Sequence, residues 1–556
     1  VRVAQGALIA RASVFAALAG STLALLPAAA QAQNWRPALP PPDTLAVPEP
    51  QPANEPRRDW PRPERLDARA LLQAAVAQNA ELLYARLQAR IAAEGLAAEE
   101  SVYQPVAYAA LRREGRQRPR SAEERLTEAL GGIAILDETV RAAEVGVRLK
   151  TESGADASLG LRSTERRNNV IASAPFTATD AESTSAVVLT VRQPLLRGAG
   201  KAITETDLRV AAAERDIGTW QFRQQLLRVG SDALSAYWQL QRATATQRLR
   251  DEALANAEAQ GADVRDRIAG GRLAPAAQDD ADALVALRRA ERSRGAAAVA
   301  EAEARVRVIL DLGATERGWP LAAADGARLV GAEGPAAPSE APSPVPSPAA
   351  AAAERLPAAQ AAWPALRVAQ LRRRQAEDRL RLAVDRTKPQ LDAQLSYSSN
   401  GLEASMRDAT TKAVRGGNPD WTIGLAFEMP IGEDLRAHAQ RRAQSLKLEQ
   451  AQLEVHSVRQ ALASDLYARL EALAVQRREE ADAAAELASR LSALAVEDTQ
   501  HRAGVAPLAR LLRRQAEAID ARLRHADVAA RTMLAVIALQ LVDGTLLAAH
   551  GVSVEE

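Results

Sequence analysis

The sequence predicts an α+β fold in which a helix–strand–strand–helix–helix unit occurs twice. Short segments alternate between apolar and polar residues, the pattern of strands with one apolar face. Each pair of such segments is followed by an Ala-rich stretch without Pro that is too long for a compact domain. Three anchors recur at nearly constant spacing: Pro194 as Pro430, Tyr237 as Tyr467 and Pro275 as Pro507, at offsets of 236 (430 − 194), 230 (467 − 237) and 232 (507 − 275).

The chain has 556 residues, 47% hydrophobic but only 3% aromatic. Large cores take much of their buried area from aromatic rings. This composition instead reads as long helices packed through small side chains. The 71 Lys+Arg balance 70 Asp+Glu, which leaves no concentrated cationic surface for phosphates, so no nucleic-acid partner is expected. The absence of Cys excludes disulfides, thiolate metal sites and an N-terminal lipid on cysteine. His438, His456, His501, His525 and His550 lack metal-ligand spacing with carboxylates. No nucleophile–base pair stands out, and Gly198-Ala199-Gly200-Lys201 lacks phosphate-loop spacing. Neither an enzyme activity nor a cofactor or metal is expected.

Residues 1–32 read as a signal peptide. Arg2 and Arg11 precede an apolar stretch over 12–26, and Ala30-Gln31-Ala32 is an A-x-A cleavage site. Residues 33–64 are a Pro-rich extension that cannot be helical. No later stretch offers about 18 uncharged apolar residues, so no transmembrane helix is expected.

The first repeat covers 65–312. Helical periodicity runs from Leu66 to Glu100, and strands are expected at about 102–112 and 185–195. Long helices follow at about 202–268 and 275–312, broken at Gly270-Gly271, with Pro275 suited to a first helical turn. Residues 114–182 form an insertion with its own hairpin near 144–164, read as a cap outside the barrel rather than as extra strands. A Pro/Ala-rich linker spans 313–356. The second repeat covers 357–545, with strands at about 390–398 and 420–430, a polar loop over 401–419, and long helices at about 435–502 and 507–542. Residues 546–556 are a tail.

Gln193-Pro194-Leu195-Leu196-Arg197-Gly198-Ala199-Gly200, followed by a long helix carrying Tyr237-Trp238, resembles the TolC-like outer membrane efflux protein family. So does Glu428-Met429-Pro430-Ile431-Gly432 in the second half. The likeness covers most of the mature chain. It implies a homotrimer whose chains share a twelve-stranded outer-membrane β-barrel, continuous with a long periplasmic α-helical barrel. The residues suit that role: Trp421, Ile423, Leu425 and Phe427 can face lipid, while Thr422, Gly424 and Ala426 face a lumen. About four strands per chain leave two open edges, which lipid does not tolerate, so oligomerisation is required.

The resemblance also implies roles. Gln193, Pro194, Gly198, Gly200, Pro430 and Gly432 would form the strand-to-helix turns. Gly271, Leu273 and Pro275, with Gly504, Val505 and Pro507, would form hairpin tips that dock a periplasmic adaptor (membrane fusion) protein, itself joined to an inner-membrane transporter. The family carries aspartates at the periplasmic aperture; here those positions hold Arg510 and Arg513, with Arg514 beside them and no Asp before Asp520. Unless acidic partners such as Glu517 or anions intervene, such a ring repels itself and favours anions; the alternative is that these Arg face outward and pair with Glu on a neighbouring helix. The expected function is a passive exit duct of a tripartite efflux pump or type I secretion system. The competing reading is a periplasmic coiled-coil scaffold without a barrel, which has no need of alternating strands.

Overall fold

The structure is a computed structural model and describes residues 67–121, 133–173, 181–312 and 348–552. The expected signal peptide (1–32) and Pro-rich extension (33–64) lie outside the described residues, as does most of the expected linker.

Two helices open the described chain. α1 (Ala68–Gln78) begins at Asp67, whose carboxylate accepts from the Ala70 amide. α2 (Ala80–Glu100) begins at Asn79, whose side-chain oxygen accepts from the amides of Glu81 and Leu82. The single helix expected here is therefore two, because an Asn that caps the second takes an extended backbone and ends the first.

Strands β1 (Val106–Pro119), β2 (Ile135–Lys150), β3 (Asp156–Asn168) and β4 (Ala181–Pro194) precede the long helices; β5 (Gln390–Glu403) and β6 (Asn418–Glu428) lie between later helices. All six form one antiparallel sheet in the order β1-β2-β3-β4-β5-β6. β1 and β6 are its edges, each with one partner among the described residues. The expected cap over 114–182 is corrected here. β2 and β3 take up much of that segment and sit in the sheet between β1 and β4. Their alternation is in phase with that of β4, so joining the sheet adds to one continuous apolar face. The strand expected at 102–112 also starts later, because Ser101–Tyr103 is a 3-10 turn.

After β4, one helical turn (Lys201–Thr204) leads to α3 (Thr206–Ala269), which returns as α4 (Ala277–Ile309). α5 (Pro348–Ala362) starts inside the segment expected to be linker to 356; its Ala-rich run is a strong helix former. α6 (Pro364–Asp385) then enters β5. The polar loop expected over 401–419 contains a helix, α7 (Met406–Val414), capped by Ser405, whose hydroxyl accepts from the Asp408 amide. β6 feeds α8 (Leu435–Arg502), capped by Asp434, and α9 (Leu508–Val542) returns beside it.

α3 and α8 have 64 and 68 residues, about 100 Å each at 1.5 Å per residue. Helices that long share no single core. Their packing is strung out in clusters, among them Leu72, Leu227, Leu234, Ile537 and Leu546, and separately Leu462, Leu466, Leu473, Leu539 and Val542. A third is Ala245 with Ala526, Ala529 and Ala530, where methyl groups let the backbones approach. Leu546 is fully buried, so the expected tail at 546–556 begins as core. Among the described residues α9 alone is long and apolar enough to cross a membrane by length and composition, although its apolar part carries Asp527 and Arg531. Its apolar side packs on α3 and α8.

Candidate functional site

Register decides what the sheet can do. One row across it reads Ala107, Val147, Leu159, Leu189, Tyr397, Trp421. The row two residues nearer the helices reads Leu149, Ala157, Val191, Leu395, Ile423. Side chains in these rows share a face, since directly opposed residues of an antiparallel pair point the same way. The opposite face carries Arg148, Ser158, Thr190, Ser396 and Thr422 in one row, and Glu144, Arg162, Ala186 and Asn400 in another. Three ion pairs lie on it: Arg162 reaches Glu144 at 3.0 Å, Arg166 reaches Glu138 at 3.2 Å and Arg192 reaches Asp392 at 2.6 Å. Ile423 and Leu425 on the apolar face are each 71% exposed. So large an apolar surface calls for an apolar surrounding.

At its far end the apolar face changes to Ser185, Ser399 and Gly401, and α7 lies against it. The Ser399 hydroxyl donates to the Ala413 carbonyl at 2.6 Å, and the hydroxyls of Ser185 and Thr410 are 3.0 Å apart. Small residues let the helix backbone approach.

The other end joins the helices. Gln193 and Pro194 end β4, and Gly198 and Gly200 follow at φ +79° and +87°, a region that side chains disfavour. The Gly198 amide donates to the Asp385 carboxylate at 2.6 Å, and the Gly200 amide to the Ser153 carbonyl at 3.1 Å. Ser153 lies in the β2–β3 turn, and its hydroxyl is 3.1 Å from the Gln193 side-chain oxygen. Lys201 bonds Glu152 of the same turn at 2.9 Å and Glu205 at 3.3 Å, which together raise its pKa, the Glu152 hydrogen bond most. The second junction is simpler: Pro430 and Gly432 (φ +101°) lie between β6 and α8. Asp385 and Ser153 were missed in the sequence, because nothing local marks a helix-end Asp or a turn Ser as the partner of a distant glycine.

The hairpin tips share one backbone motif. Gly271 (φ +68°) ends α3, where Arg272 N donates to Arg267 O; Gly504 (φ +74°) ends α8, where Val505 N donates to Gln500 O. These are Schellman closures, with the residue after each glycine reaching back five positions. Leu273 is 38% exposed and Val505 76%. Pro275 precedes α4, and Pro507 is the residue before α9.

Beside the second tip, Arg510 Nε donates to Glu497 at 2.6 Å and its other nitrogen to Gln500 at 3.0 Å. Glu517 collects Arg514 at 2.8 Å, Arg490 at 3.1 Å and Arg513 at 3.4 Å. The hydrogen bond from Arg514 is the main reason its carboxyl titrates below the usual range. The expected basic cluster is thus internally paired, and Arg513, at 80% exposure, is its most open member. Among the described residues no group of three His, Asp or Glu could hold a metal.

Residues 356–545 match the family model described as outer membrane efflux protein. This segment is an outer membrane efflux protein domain. It contains β5, β6, α8 and α9, the second junction and the second tip, and its family comprises channels of the outer membrane, not enzymes. The solved structures extend the likeness across both repeats. A membrane protein from Pseudomonas aeruginosa aligns at 18% identity and TM-score 0.56, covering 86% of this chain and 90% of that one. The CmeC outer membrane channel of Campylobacter jejuni aligns at 12% and 0.55, covering 86% and 85%. The outer membrane protein VceC of Vibrio cholerae aligns at 11% and 0.54, covering 86% and 96%. At such identities the likeness is one of fold. Comparison with curated proteins gives no match. The family match thus covers the second repeat, and the solved structures show that the chain as a whole shares their fold.

Proposed function

We propose that three copies close their sheets edge to edge into one β-barrel in the outer membrane. The helices continue below it as a periplasmic tunnel, and the assembly is the passive exit duct of a tripartite efflux pump or type I secretion system. The observation that supports this is a sheet with one apolar face, one polar face and two unpaired edges. An exposed apolar face costs about 25 cal/mol per Å² in water. Lipid relieves that cost but penalises every unpaired N–H and C=O along an open edge. Closure relieves both. β1 leaves a helix and β6 enters one, so β6 of one copy meets β1 of the next antiparallel, like every other pair in the sheet. The tips at Gly271–Pro275 and Gly504–Pro507 are the surfaces offered to a periplasmic adaptor and, through it, to an inner-membrane transporter. A coiled-coil scaffold without a barrel would leave Trp421, Ile423, Leu425 and Phe427 in water.

Membrane fractionation tests the proposal. The protein should stay with outer membranes through a carbonate wash and run as a heat-sensitive trimer. Release by carbonate, or only monomers after crosslinking in detergent, would overturn it.

A further inference from the structure

The β2–β3 hairpin adds two strands to each chain's share of the wall. We infer that the trimeric barrel has eighteen strands rather than twelve, and that its membrane section is a wide bore for bulky cargo rather than a size filter; this rests on the proposed trimeric barrel.

Three observations carry the inference. First, the hairpin is wall in its chemistry. Val145, Val147, Leu159 and Leu161 continue the apolar face, and Glu144, Arg162 and Arg166 continue the polar one. A cap standing in water would not keep that alternation in register with β4 over twelve residue pairs, from Asp156↔Arg192 to Arg167↔Ala181. Second, the hairpin is pinned where the wall meets the helices. Its turn is held by Gly200 N to Ser153 O at 3.1 Å, Gln193 Nε2 to Ser153 O at 3.2 Å and Lys201 to Glu152 at 2.9 Å. A Cβ on Gly154 would sit 2.8 Å from the Gly198 carbonyl oxygen, so the turn and the junction are in direct backbone contact.

Third, the circumferences agree. Four helices per chain connect directly to strands: α2, α3, α6 and α8. Three chains bring a ring of twelve, about 100–120 Å around at 8–10 Å per helix. Eighteen strands about 4.8 Å apart and tilted about 40° give about 110 Å, whereas twelve give about 75 Å. The wider barrel meets the tunnel without a neck. Its backbone diameter is about 36 Å against about 24 Å. With about 5 Å of side chain on each wall, the clear bore is about 26 Å against about 14 Å.

The chain has no cysteine, so single thiols report cleanly. Leu159→Cys on the apolar face and Ser158→Cys on the polar face would be reconstituted in liposomes and treated with a water-soluble maleimide, with Ile423→Cys on β6 as the barrel control. The expected result is at least tenfold slower labelling of Leu159→Cys and Ile423→Cys than of Ser158→Cys. Fast labelling of Leu159→Cys with Ile423→Cys protected would overturn the eighteen-stranded wall while leaving the barrel standing. Fast labelling of both would overturn the barrel itself. Width has its own readout in the unaltered protein: a neutral polymer of about 20 Å hydrodynamic diameter, added to the outer side of a planar bilayer, should enter the barrel and lower the conductance. Full exclusion at that size would overturn the wide bore.

Discussion

The Gly198 amide and the Asp385 carboxylate meet at 2.6 Å, joining the strand-to-helix turn of the first repeat to the end of α6 in the second. The Asp385 side chain is 2% exposed and also holds Lys388 at 2.8 Å. One buried carboxylate thus satisfies a turn amide with one oxygen and an ammonium with the other, and it does so where sheet meets helices.

That contact sets two costs. Asp385→Ala leaves the Gly198 amide without its acceptor and should destabilise the protein by about 1–3 kcal/mol. Gly198→Val forces a β-branched residue to φ +79° and should cost about 1–2 kcal/mol. Both should lower the thermal midpoint of the detergent-extracted protein and the trimer yield. An unchanged midpoint in either variant would remove the junction from the list of fold-determining contacts.

Gly401→Val should dislodge α7. A Cβ at that position would collide with the Ala409 carbonyl oxygen and lie 2.9 Å from the Ala413 nitrogen. Backbone atoms of a packed helix cannot yield that far without moving the helix. Proteolysis between β5 and β6 should accelerate in whole cells, while Gly424→Val, with nothing within 4 Å of its Cβ, should leave that rate alone.

The tips should separate export from assembly. Leu273→Glu and Val505→Glu place charge on exposed apolar side chains without touching the Schellman glycines beside them. Trimer yield should be preserved and export lost. Export measured at wild-type level in the double variant would remove adaptor docking from these turns.

Arg510 and Arg513 should differ. Arg510→Ala strands a Glu497 carboxylate that is only 8% exposed and should cost about 1–3 kcal/mol. Arg513→Ala loosens a solvent-facing contact and should stay within about 0.5 kcal/mol. Denaturant melts of the two variants side by side are the check.

If the Arg cluster beside the second tip lines the ion path, its charge should depend on Glu517. Its folded pKa is lowered, first by the Arg514 hydrogen bond. Its contribution is therefore complete above the ordinary glutamate range and is lost only as pH falls through the lowered folded value. Lowering the pH from 8 to 6 should leave ion selectivity unchanged. Glu517→Gln should shift the reversal potential toward anions at neutral pH by releasing Arg490, Arg513 and Arg514 together. A reversal potential indifferent to Glu517→Gln would place this cluster away from the ion path.

The sequence by itself determined the elements whose cause is local. Strict alternation over 390–398 and 421–429 made strands. Runs of Ala, Leu, Arg and Glu without Pro made α3 and α8, and Gly271 and Gly504 stopped them. The paired prolines disclosed the duplication and, with Gln193-Pro194 and Gly198, the family. Tertiary structure decided what depends on distant partners. Residues 144–164 read as a hairpin in the sequence; only pairing with β1 and β4 placed them inside the sheet rather than outside it, because a strand's neighbours are not encoded in its own alternation. Arg510 finds Glu497 only because α8 and α9 lie antiparallel, whereas Glu517, four residues after Arg513 on α9 itself, was legible as a partner in the sequence. Asp385 carried no local sign at all, since its partner amide is 187 residues away in sequence and is brought to it only by the β4–β5 pairing.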